Sequence, residues 1–109
     1  MERPAFSFAD SLAGNPIIAA VKEPEGLDRA LDSDCGVIFL LCGDICTIGP
    51  LAARVSGRGK ALFIHADLVD GLAGREVAVD FIRENTGAAG IISTKPSLIR
   101  RAREVGLST

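Results

Sequence analysis

The sequence predicts an α/β fold of repeated βα units with parallel strands, about half of a TIM-like barrel. Two observations carry that expectation. Four short apolar runs recur at residues 16–21, 36–41, 61–64 and 90–93, and they are almost continuously hydrophobic rather than alternating. Strands read this way when both faces of a parallel sheet are covered. Between the runs lie segments with helical periodicity, so the order is βαβαβαβα, the pattern of parallel strands joined by crossover helices.

Taken in order, residues 7–13 are expected to form a short helix stopped by Gly14, with Pro16 fixing the exit and Phe6, Phe8 and Leu12 plugging the amino-terminal end of the sheet. After the first strand, Pro24 stands in the opening turn of a helix that buries Leu27, Ala30 and Leu31 at spacing i, i+3, i+4. The second helix is expected from near Thr47. It keeps Pro50 in its first turn, aligns Ile48, Leu51, Ala52 and Val55, and stops at Gly57. A third helix puts Val77, Ala78, Phe81 and Ile82 on one face, leaves Arg75, Glu76, Asp80 and Arg83 outside, and ends at Gly87. The fourth opens at Pro96 and aligns Leu98, Ile99, Ala102 and Val105 before Gly106. Residues 106–109 then read as the entry to a fifth strand. A sheet of four βα units has two unpaired edges, and a homo-oligomer that pairs two half-barrels is compatible with them.

Composition narrows the class. With 109 residues, 48% hydrophobic and 24% charged, and 12 basic against 14 acidic side chains, the chain is expected to form one domain over residues 1–109 rather than a disordered, fibrous or coiled-coil segment. A membrane span needs about 20 consecutive apolar residues. The longest apolar run covers only residues 37–42, and the amino terminus lacks a signal-type apolar stretch, so a cytoplasmic location is expected. Cys35, Cys42 and Cys46 form no partner pattern and are expected to be small buried apolar residues in a reducing compartment. His65 is the one histidine, too little for a metal cluster, and no cofactor is expected.

In βα proteins functional groups collect where strands run into loops at the carboxyl edge of the sheet. The four strand ends supply Lys22, then Asp44, then His65 and Asp67, then Ser93, Thr94 and Lys95. Alternation along an extended strand would let His65 share a face with Asp67, Ser93 with Lys95 and Ala20 with Lys22, and closure into a barrel would turn these groups into one mouth. Such a rim suits a small anionic polyol. Lys22 and Lys95 can neutralise a phosphate or carboxylate, Asp67 can accept from hydroxyls, and the N–H groups in the first turn of the last helix form an anion site. The stretch at 54–60 is glycine-rich, but it follows a helix and precedes a strand, the reverse of a phosphate loop, so it is a helix stop and turn. On the last helix Arg100, Arg101 and Arg103 could meet phosphates of a nucleic acid.

Residues 15–22, 33–35, 39–45 and 65–72, and above all 90–99, together resemble the glycerol uptake operon antiterminator regulatory proteins. The resemblance runs from about Asn15 to the last residue without a gap. It implies a small TIM-barrel-like regulator, not an enzyme, that responds to glycerol 3-phosphate, binds the leader mRNA of a glycerol operon and permits antitermination. Lys22, Asp44, His65, Asp67, Ser93, Thr94 and Lys95 all lie in the matched stretches. Members of that family continue well past this length, so a chain truncated at its carboxyl end is expected. Two other readings compete. In one, an enzyme uses Lys95 as a Schiff-base or phosphate-binding residue, with Asp67 or His65 moving protons. In the other, a receiver-like or flavodoxin-like open sheet uses acidic strand ends.

Overall fold

The computed structural model describes residues 17–72 and 75–109. The expected helix at 7–13, with Phe6, Phe8 and Leu12, lies outside the described residues. Four strands alternate with four helices: β1 (Ile18–Val21), α1 (Gly26–Asp32), β2 (Val37–Leu40), α2 (Ile48–Gly57), β3 (Ala61–His65), α3 (Glu76–Asn85), β4 (Gly90–Ile92) and α4 (Pro96–Glu104). The strands form one parallel sheet in the order β1-β2-β3-β4. Each strand therefore pairs with its successor in the chain. That order differs from the doubly wound one, in which the chain reverses direction from a central strand, and it removes the flavodoxin-like reading.

Residue alternation explains how the sheet is filled. Val21, Leu40, Ile64 and Ile91 stand in register across the four strands, and they join Ile38 and Leu62 in one buried cluster. Leu27 and Leu31 of α1, Ile48 and Val55 of α2, Val79 and Ile82 of α3, and Leu98 and Ala102 of α4 belong to the same cluster. All four helices thus cover one face, as successive crossovers of the same hand require. The other face carries Phe39 and Phe63, whose rings lie 5.6 Å apart at a tilt of 55°. Each Leu or Ile buried this way stabilises the fold by about 1.5–3 kcal/mol before entropy is counted.

The helices match the expected faces except in α3. There Ala78, Val79 and Ile82 are buried, Phe81 is partly buried, and Val77 is 65% exposed. Three consecutive apolar residues open this helix, and periodicity alone does not decide which of them the sheet takes. Val79 pairs with Ile82 at i+3, which turns the stripe away from Val77. Before α1, Pro24 sits in the turn leading into the helix, where its carbonyl accepts from Leu27 N–H.

The chain leaves α4 through Gly106 in a left-handed conformation (φ +84°), with Leu107 N–H donating to the Ala102 carbonyl. This is the Schellman geometry that glycine permits without steric strain. Ser108 then pairs in parallel with Gly90: Ile91 N–H donates to the Ser108 carbonyl at 3.0 Å, and Ser108 N–H to the Ala89 carbonyl at 3.0 Å. The terminal segment therefore lies beside β4, on the side away from β3. Gly90 is needed for that approach. A Cβ there would sit 2.7 Å from the Phe63 ring and against the Ser108 carbonyl.

Candidate functional site

Asp67 is the centre of a hydrogen-bonded cluster at the carboxyl edge between β3 and β4. Beyond His65 the chain turns, with Leu68 N–H bonded to the His65 carbonyl, while Ala66 N–H still bonds to the Ile92 carbonyl. The pairing of β3 with β4 thus persists one residue past the strand and brings Asp67 over the start of the β4–α4 loop. Ser93 Oγ donates to Asp67 Oδ2 at 2.9 Å, and Thr94 N–H donates to the same oxygen at 3.2 Å. Lys95 N–H donates to Ser93 Oγ at 3.0 Å, and Lys95 Nζ lies 3.7 Å from Asp67 Oδ1. Pro96, the first residue of α4, has no N–H to satisfy.

Opposing influences act on the Asp67 carboxyl. Burial, the largest, raises its pKa, but the Ser93 hydroxyl, the Thr94 amide, Lys95 and His65 together outweigh it and hold the group below the usual carboxylate range. Two atoms remain unserved: Asp67 Oδ1 and His65 Nδ1 are buried and have no hydrogen-bond partner.

The sequence expectation of shared faces does not describe how these residues meet. β3 ends at His65 and β4 at Ile92, so Asp67, Ser93 and Lys95 all lie beyond the extended backbone to which alternation applies. Loop turns and backbone amides join them instead. The loop ahead of α4 is tied down as well. Thr94 N–H is held by Asp67 and Lys95 N–H by Ser93, so the two amides just ahead of that first turn are already bonded.

The other candidates are placed elsewhere. Lys22 is exposed and lines an open groove beside β1 with Ala20, Glu23, Glu25, Gly26 and Arg29. The Asp44 carboxylate is committed to the turn before α2, where Oδ1 accepts from Cys46 N–H at 2.8 Å and from Thr47 N–H at 3.0 Å. Its backbone forms a parallel bridge with Asp70, which ties the second and third loops together. Of the cysteines only Cys35 is buried, with Sγ 3.2 Å from the Ala30 carbonyl. Cys42 is partly buried, its thiol pKa raised first by burial and then by Glu25 and Glu23. Cys46 is exposed, because it sits in the turn that Asp44 organises.

On α4, Arg100 and Arg103 are exposed, whereas Arg101 donates to Asp80 at 2.9 Å and to Glu104 at 3.0 Å. Sequence reasoning missed a second charged feature, on the opposite side of the helical layer. Arg54 pairs with Asp28, and Arg58 with Asp32 at 3.2 Å. Matching i, i+4 spacings of opposite charge on consecutive helices were its available signal. Residues 54–60 do form a helix stop and turn, and Lys60 Nζ donates to the carbonyls of Ser33 and Cys35.

The sequence model of the family described as glycerol-3-phosphate responsive antiterminator matches residues 17–109. The chain belongs to this antiterminator family. It is 45% identical over 95 residues to the Escherichia coli protein YgcP, a match covering 87% of this chain and 50% of that protein. In fold it is similar to the glycerol uptake operon antiterminator regulatory protein of Listeria monocytogenes, with a TM-score of 0.79 and 28% identity, covering 83% of this chain and 49% of that one. A glycerol uptake operon antiterminator-related protein of Thermotoga maritima aligns with a TM-score of 0.73 and 32% identity over 83% of this chain and 50% of its own. The chain spans about half the length of each of these relatives. Among its described residues no helix is long and apolar enough to cross a membrane.

Proposed function

We propose that this chain is part of a cytoplasmic transcription antiterminator that takes glycerol 3-phosphate as effector at the carboxyl edge of its sheet and binds the leader mRNA of glycerol-uptake genes. It works as a regulator, not an enzyme. The observation that carries the reading is the family match over residues 17–109, a span that includes every member of the Asp67 cluster. Closure of the sheet into a barrel, with further strands beyond Ser108, belongs to the same proposal, and the neighbour-to-neighbour strand order supports it.

The cluster also suggests how an effector would be felt. Asp67 holds the first residues of the β4–α4 loop, and α4 carries Arg100 and Arg103 on its exposed side. A ligand that changes the Asp67 bonds shifts the seat of α4, and with it the arginines that meet RNA phosphates. Such a shift is driven only by differential affinity for the two arrangements. The Schiff-base reading gains nothing from the geometry. The Lys95 side chain is half-exposed and ion-paired with Asp67, whereas a lysine nucleophile is activated by desolvation or by a neighbouring cation.

The experiment is a titration of leader RNA with this protein, with and without glycerol 3-phosphate, followed by gel retardation. An effector-dependent change in RNA affinity that disappears in Asp67→Ala is expected. RNA binding that ignores both effector and leader sequence would remove the reading.

A further inference from the structure

The Asp67 cluster would meet an approaching anion with a carboxylate, while two of its buried polar atoms have no hydrogen-bond partner. Its charges already balance, since one carboxylate faces one ammonium at 3.7 Å. The amides of Thr94 and Lys95, just ahead of α4, are bonded to Asp67 and Ser93, and Pro96 brings none. A phosphate carries acceptor oxygens and close to two negative charges, so it would confront a carboxylate that its own bonds keep ionised.

What the cluster lacks is different in kind. Asp67 Oδ1 is without a hydrogen-bond donor, and His65 Nδ1 takes a donor or an acceptor according to its tautomer. Buried polar atoms left without partners each cost about 1–3 kcal/mol, so both are relieved by a group that arrives with its own proton and no charge. An alcohol hydroxyl is such a group, able to donate and accept at once. The Lys95 side chain beside Asp67 Oδ1 is half-exposed, and its 3.7 Å contact is longer than a hydrogen bond.

We propose that the His65, Asp67 and Ser93 edge holds the hydroxyl end of a phosphorylated polyol and rejects its phosphate, which is bound by groups outside this edge. The assignment rests on the effector reading above and adds to it the direction in which the effector lies. Adjacent hydroxyls on a polyol would donate to Asp67 Oδ1 and bond to His65 Nδ1. Lys95 moves aside rather than serving as the anion ligand its charge suggests.

The test uses amide NMR spectra of the 109-residue chain titrated separately with glycerol, inorganic phosphate and glycerol 3-phosphate. Glycerol and glycerol 3-phosphate are expected to shift the amides of His65, Asp67, Ser93 and Thr94 in common, while inorganic phosphate leaves them in place. Asp67→Asn should weaken both polyols by the same factor, about tenfold for a lost hydrogen bond to a charged acceptor. Should that variant lose its fold, Lys95→Gln decides: polyol affinity is kept or improved if Lys95 is only a cover, and a tenfold loss overturns the proposal. Phosphate that shifts the Ser93–Lys95 amides and competes there with glycerol 3-phosphate overturns the orientation but leaves the effector reading standing. Absence of glycerol 3-phosphate binding anywhere on the folded chain overturns the effector reading and the orientation with it.

Discussion

At the scale of single residues the informative quantity is what each charge is bonded to. Asp67 is held below the ordinary carboxylate range, so its unfolded form binds a proton first as the pH falls. The stability it contributes is therefore fully present above the unfolded value of about 3.9 and is lost as the pH drops through the lower folded value. Urea unfolding at pH 6 and pH 3 should show a smaller loss of stability on acidification for Asp67→Asn than for the parent chain. An equal loss in both would mean that the Ser93 and Thr94 bonds do not hold the ionised form. Asp44 tests a different use of the same group. It caps the turn before α2, and Asp44→Ala is expected to lower stability by about 1 kcal/mol, read as a shift in urea midpoint at unchanged slope. The sequence identified both aspartates as strand-end groups but could not tell them apart. Their difference lies in which amides the following turn presents, Cys46 and Thr47 for one and Thr94 for the other, and that follows from backbone geometry rather than residue type.

At the scale of elements, apolar spacing located all four helices, because each has to bury one stripe against the same sheet. It failed on Val77 for a physical reason: the residue lies in the first turn of the helix, and three apolar residues in succession carry no phase information. Leu98 shows what correct phase is worth. It is fully buried, and Leu98→Ala is expected to cost about 2–5 kcal/mol, measured by chemical denaturation. The outer face of α4 separates charges that look alike in the sequence. Arg101 is committed to Asp80 and Glu104, while Arg100 and Arg103 stand exposed. If the helix meets RNA phosphates, the Arg100→Ala/Arg103→Ala double variant should bind leader RNA more weakly. Its salt slope should fall by up to about 0.7 for each single-strand phosphate that an arginine no longer neutralises. An unchanged slope would place the RNA surface elsewhere.

Across the whole molecule the governing feature is a sheet whose strands follow one another in chain order, with every helix on one face. That arrangement was legible because continuous apolar runs and intervening helical periods can be read along the chain, whereas loop-to-loop ties such as the Asp44–Asp70 bridge depend on register between strands. The same topology leaves β1 at an edge. Among the described residues β1 has a strand only on its β2 side, and beside it Ile17 is 53% and Ile18 is 37% exposed. An exposed apolar edge with free backbone groups is a template for another strand. The 109-residue chain in solution is therefore expected to associate through this edge, giving a sedimentation coefficient that rises with protein concentration. Ile17→Lys should suppress the rise, because a lysine ammonium resists burial between paired strands yet costs little at a site already open to water. Sedimentation as a monomer at every concentration would mean that the β1 edge does not recruit another copy, and an unaltered rise in Ile17→Lys would assign association to a different surface.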